Sequence, residues 1–160
     1  MTDYFLKIDG VDGESQDDRH RGEIELASFS WGETNSGAVG HAGGAGVGRV
    51  SAQDFHIVKR VDKASPKLFI ACATGQHFAK AVLVARKPGV EQQEFLKLTF
   101  EDLLVTSYQL ASEGGGQALP MDQAGFGFAK LEVSYRPQKP DGSLDAEITQ
   151  KFDFAANRPA

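Results

Sequence analysis

Over most of its length the chain alternates apolar and polar side chains with a period of two, the pattern of strands that bury one face. Tyr4-Phe5-Leu6-Lys7-Ile8 reads as a short opening strand, closed by a polar loop that holds Asp9-Gly10 and Asp12-Gly13. Residues 22–32 are more instructive. Ile24 and Leu26 alternate with Glu23 and Glu25, and then Ala27, Phe29 and Trp31 take over the apolar phase. A shift of one residue turns a strand's side chains to its other face, so a bulge or sharp bend is predicted at Ala27-Ser28. Barrels and orthogonal sandwiches use such bends at their corners. Further strands are predicted over 50–59, 79–86, 94–100, 103–110, 126–136 and 147–154, with a turn at Lys87-Pro88-Gly89. Phe126 and Phe128 share one phase while Leu131, Val133 and Tyr135 share the other, which predicts a second bulge. Eight strands at this spacing point to a mainly β barrel or sandwich.

One segment breaks the period. Ser65 is placed to cap a helix, Pro66 suits the first helical position, and Gly75 offers a left-handed stop. The helix, about 66–74, turns Leu68, Ala71 and Cys72 toward the sheet. Two loops stand out. Residues 35–48 form an extended glycine-rich connection between strands, and residues 112–117 (SEGGGQ) form a shorter one. Long loops in compact domains are usually functional or disordered. No repeat of fixed period is found.

Length and composition agree with one folded domain spanning 1–160: 41% of residues are apolar, 24% are charged, and there are eleven Phe and one Trp. The net charge is −5, from 17 basic and 22 acidic side chains, with no basic stripe, so nucleic acid is not an expected partner. Cys72, the single cysteine, sits in an apolar run and reads as a small hydrophobe rather than a nucleophile. No apolar run approaches the ~20 residues that span a bilayer, so membrane insertion is not expected. The first residues show no cleavable signal, which predicts synthesis in the cytoplasm and any export without one.

Candidate chemistry is sparse. Gly43 and Gly48 have the spacing of a phosphate-binding loop, but Arg49-Val50 stands where a Lys and a hydroxyl are needed, and a strand follows instead of a helix. The acidic run 9–18 lacks the alternating carboxylates of a helix–loop–helix calcium site. His20, His41, His56 and His77 are dispersed without metal-type spacing, and no nucleophile elbow occurs. His56, between Phe55 and Ile57, is expected to face away from the core. No catalytic residue, cofactor or metal is predicted.

Several segments, taken in order, resemble the Hcp (haemolysin-coregulated protein) family, the tube proteins of the bacterial type VI secretion system. They are FLKIDGVDGES at 5–15, GEIELASFSWG at 22–32, QDFHIVK at 53–59, VDKASPKLFIACATG at 61–75, LVTSYQ at 104–109, FAKLEVSYRPQ at 128–138 and DGSL at 141–144. The resemblance implies a small β-barrel of two packed antiparallel sheets with one short helix on its side. It also implies self-assembly into hexameric rings that stack into a tube, expelled by a contractile sheath together with a spike. The lumen would carry effector proteins, the tube protein would itself be secreted, and no catalytic residues would be carried over. Six protomers at −5 each give −30 per ring, which favours complementary ring faces over like-charge stacking. By the same resemblance Gly37, Val39, His41, Gly44 and Gly48 belong to a ring-stacking loop, and Ser30, Ser112 and Glu113 line the pore. Gly125 and Gly127 depart from the family's usual alternation, and residues 155–160 form a short exposed tail. The alternative is a monomeric β-sandwich that binds a small ligand. It needs aromatics gathered on one concave face, whereas Trp31, Tyr4, Tyr108 and Tyr135 are scattered.

Overall fold

The computed structural model describes residues 2–37, 49–89, 91–114, 116 and 119–160. The chain opens with β1 (Asp3–Ile8), β2 (Ile24–Leu26), β3 (Ser28–Ser30), β4 (Glu33–Asn35), β5 (Val50–Ala52) and β6 (Phe55–Arg60). A single helix, α1 (Ser65–Thr74), precedes β7 (His77–Arg86), β8 (Glu94–Ala111), β9 (Met121–Tyr135), β10 (Ile148–Asp153) and β11 (Arg158–Pro159). β4 and β5 make a two-stranded ribbon, and the other nine strands form one antiparallel sheet.

That sheet curls on itself, and the bend predicted at Ala27 is the reason it can. β2 pairs with β1 and β3 pairs with β6. Between them the Ala27 amide donates to the Val58 carbonyl at 2.8 Å. Counting 24–30 as one bent strand, the pairings run β1, β2–β3, β6, β9, β8, β7 and back to β1. The phase switch passes the apolar face from Ile24 and Leu26, both buried, to the half-buried Phe29 across this corner.

Residues 94–100 and 103–110 are one strand, not two. Asp102, at φ 56°, absorbs a turn within it. Its buried phase moves there from Leu98 and Phe100 to Leu103 and Val105. Opposite, the phase of β9 changes from Ala124 and Phe126 to Leu131. The register is unbroken through this corner, with Glu101 opposite Lys130 and Leu103 opposite Phe128, so the second bulge predicted from the β9 pattern is absent. Both strands turn together, and neither gains a residue on the other. The register shift lies between Val105 and Ser107 of β8. The predicted strand 50–59 is in turn divided: β5 belongs to the ribbon and β6 to the barrel, with the Gln53 amide tied to the Gly32 carbonyl at 2.8 Å.

α1 covers one side. Leu68 and Ala71 are fully buried and Cys72 is half-buried, while Phe69 and Ile70 face outward. Gly75 adopts the left-handed conformation and its amide bonds the Ala71 carbonyl, as the sequence predicts. Ser65 is not the cap. Ala64 holds that position without a side-chain bond, and the Ser65 hydroxyl is committed to Lys59 and the Asp62 amide. In the core Phe55 stacks on Phe100 with centroids 4.3 Å apart and contacts Phe126. Each such buried ring contributes on the order of 1.5–3 kcal/mol over its exposed state.

Candidate assembly and lumen face

Four neighbouring strands present one outer face. Strand register sets Ser30 opposite His56, His56 opposite Gly125, and Gly125 opposite Ser107. The next row joins Ser28, Val58, Gln123 and Gln109. Register partners share a face and alternate residues oppose it. The intervening residues Phe29, Ile57, Ala124 and Tyr108 accordingly pack inward. The bulge at Val105/Ser107 leaves both Thr106 and Ser107 exposed, and so brings Ser107 and Gln109 onto the outer face. Neither row contains an acidic side chain or a lysine or arginine, in a chain that is 24% charged. Elsewhere the surface carries Lys7, Glu25, Lys80 and Lys97.

Gly125 is the low point of the first row. A Cβ built there would meet Ser107 Oγ at 2.5 Å and the His56 ring at 3.1 Å. The His56 ring therefore rests against the Gly125 backbone while remaining exposed. Beside it, the Thr106 hydroxyl donates to Asp54 Oδ2 at 2.7 Å.

Two polar clusters tie parts of the barrel together. Lys59, 1% exposed, donates from Nζ to Asp62 Oδ1 at 2.8 Å, Ser65 Oγ at 2.8 Å and Asp122 Oδ2 at 3.0 Å. The Tyr108 hydroxyl donates to the same Asp122 oxygen at 2.7 Å. Burial, and next the bond to Asp122, push the Tyr108 phenol up to about 12. This cluster joins the start of α1 to β6, β8 and β9.

The second cluster pins the 9–23 loop. Arg86 donates from Nη2 to Asp17 Oδ2 at 2.8 Å and to Asp3 Oδ2 at 3.1 Å, and its guanidinium lies 4.8 Å from the Phe5 ring centre. The hydrogen bond from Arg86 holds the Asp17 carboxyl down to about 2, and Asp17 in turn raises Arg86. On the other side of Phe5, His20 stacks at 4.4 Å, with Nδ1 2.9 Å from Glu23 Oε2 and Nε2 2.6 Å from Glu94 Oε1.

The predicted site residues divide clearly. Ser30 lies on the charge-poor face, and Ser112 and Glu113 follow the end of β8, exposed. Gly37 lies just beyond β4, exposed, its amide donating to Asn35 Oδ1 at 2.7 Å. Val39, His41, Gly44 and Gly48 lie outside the described residues. His56, expected only to face away from the core, proves to be the centre of the outer row. Its position between Phe55 and Ile57 was the signal. Three of the four aromatics weighed for a ligand platform are used internally: Tyr4 packs edge-on to Phe29, Trp31 packs against Phe128 and Phe154, and Tyr108 bonds Asp122, while Tyr135 is exposed apart from them.

The fold is thus a curled antiparallel sheet with a side helix, tied by buried ion clusters, that presents an outer face poor in charge. Comparison with known proteins gives the family. The model of "Type VI secretion system effector, Hcp" matches residues 5–135. Protein hcp1 of Pseudomonas aeruginosa is 41% identical over 145 residues, covering 90% of this chain and 89% of that protein. Among solved structures, one of a type six secretion system protein superposes with a TM-score of 0.93 at 28% identity, covering 100% of both chains. Hcp1 from Salmonella typhimurium gives 0.82 at 36% identity over 99% of both. The chain belongs to the Hcp family. It is a type VI secretion tube protein, of a secreted, structural family that self-assembles into rings.

Proposed function

We propose that six copies of this chain close into a ring whose pore is lined by the face that carries Ser28, Ser30, His56, Gly125, Ser107 and Gln109. The observation that carries this reading is the pair of registered rows without formal charge, bounded along β6 by Asp54 and Arg60, in a chain that is 24% charged. A pore wall made of small, neutral, polar groups lets varied proteins pass without strong charge trapping or repulsion. Ser112 and Glu113 extend from the end of β8 to the pore rim, and Gly37 leads into the stacking loop with Val39, His41, Gly44 and Gly48. The stacked tube is expelled by a contractile sheath behind a spike and delivers effector proteins held in the lumen. The chain acts as a single domain over 1–160 and performs no catalysis. Neighbouring subunits cover the open strand edges.

Light scattering after size exclusion tests the assembly. The expected mass is near six times 17.2 kDa, with annular particles in negative-stain images. A monomer at every concentration overturns the reading.

A further inference from the structure

Two anchors hold the 9–23 loop against the barrel, and their chemistry differs. The first is Arg86, which donates to Asp17 and Asp3. The Arg86–Asp17 hydrogen bond holds Asp17 down to about 2 and raises Arg86, so this anchor keeps both charges across neutral pH. The second is His20, 6% exposed and stacked on the Phe5 ring with the planes 8° apart. Its ring nitrogens face two carboxylates, Nδ1 at 2.9 Å from Glu23 Oε2 and Nε2 at 2.6 Å from Glu94 Oε1. Serving both needs two N–H donors, which the imidazolium supplies and the neutral ring does not. The other charges around it are Asp17, whose carbonyl accepts the His20 amide, Arg86 beside Phe5, and Arg19, which lines the same cleft as Glu94.

The two carboxylates are not equivalent. Glu23 belongs to the loop itself, and its side chain is 15% exposed. Glu94 opens β8, and its side chain is 38% exposed, so it can turn to water. A ring with one proton can hold it toward Glu23 and then sets a lone pair against Glu94.

We propose that His20 is a pH-operated latch: the imidazolium ties the 9–23 loop to the first residue of β8, and the neutral ring keeps Glu23 and releases Glu94. The loop then relies on the Asp17–Arg86 anchor and on its own backbone bonds, such as Gly22 N–H to the Ser15 carbonyl at 2.8 Å and Glu23 N–H to the His20 carbonyl at 3.1 Å. The latch is closed in mildly acidic solution and opens as rising pH takes the second ring proton, while the barrel stays folded. This inference stands apart from the reading of the pore face.

Amide hydrogen exchange, followed by mass spectrometry at one fixed protomer concentration, tests it. Protection is compared from about pH 5.5 to about pH 9, on either side of the ordinary imidazole range, after correction for the intrinsic pH dependence of exchange. In the wild type, protection over residues 13–24 is expected to fall about three- to thirtyfold as pH rises, the scale of one charge-assisted hydrogen bond. Strands β1 and β7 keep theirs. His20→Gln, which cannot titrate, loses the pH dependence. Glu94→Gln also loses it, because an amide can accept from a ring N–H or donate to a ring lone pair. Asp17→Asn loosens the loop at every pH and retains the fall. Equal wild-type protection across the range overturns the latch. So does a fall of the same size in His20→Gln or Glu94→Gln, or a loss spread over the whole barrel.

Discussion

Replacing Lys59 by alanine removes the cation that three side chains were folded around. Asp122, 1% exposed, would keep only the Tyr108 hydroxyl, and its Oδ1 already has no protein partner. Removing one member of a buried pair leaves an uncompensated charge and costs about 3–5 kcal/mol. The Ser65 hydroxyl and the Asp62 carboxylate lose a partner too, so the upper part of that range is expected. For a domain of this size each kcal/mol lowers Tm by about 2–4 °C, which gives a drop of roughly 6–20 °C. Ring association adds to apparent stability, so thermal unfolding by circular dichroism is compared at one fixed protomer concentration. The double variant Lys59→Met with Asp122→Leu separates charge from packing. It removes both charges at similar volume and is expected to recover most of the loss. Asp122→Ala alone should cost less than Lys59→Ala, because Lys59 keeps Asp62 and Ser65. A loss below about 1 kcal/mol for Lys59→Ala, the size of an exposed pair, would refute the claim that this cluster is desolvated.

Further outcomes follow from other contacts. Gly13→Ala places a Cβ 2.4 Å from the Glu23 carbonyl oxygen and 2.6 Å from Ile24 Cα. Backbone cannot rotate away, so a loss of about 1–3 kcal/mol in urea unfolding is expected. The depressed Asp17 carboxyl contributes stability that is complete above its ordinary value of 3.8 and is lost as pH falls through about 2. Acid unfolding of the Asp17→Asn variant should therefore lack the part of the pH dependence that falls in that window. The raised Tyr108 phenol contributes stability below pH 10 that is lost as pH rises through about 12. Ultraviolet titration of the three tyrosines should show one late phase near 12, absent in Tyr108→Phe.

The apolar period showed the corner at Ala27 because the switch occurs within one strand, where neighbouring residues report it directly. The corner at Asp102 was misread twice, as a gap in β8 and as a bulge in β9. Two paired strands that turn together keep their register, and a linear pattern cannot distinguish that from an inserted residue. The true shift, between Val105 and Ser107, moves the inward phase from Leu103 and Val105 to Tyr108, a switch inside the segment read as the single strand 103–110. Lys59 shares the inward phase of Phe55 and Ile57, but what makes its burial tolerable was not legible, because its partner Asp122 is 63 residues away.

From the sequence alone came the strand period, the punctuation of the helix, the closing bend and the family, because each rests on neighbours along the chain or on motifs in order. The expectation for Ser30 rested on one residue, and the charge-poor face around it was not legible. Ser30, His56, Gly125 and Ser107 come from four separate strands, and only their register in the folded sheet sets them in one row. The same holds for both ion clusters. Local propensity decides which segments become strands, whereas pairing across the barrel decides which face each side chain shares and which charges lose their water.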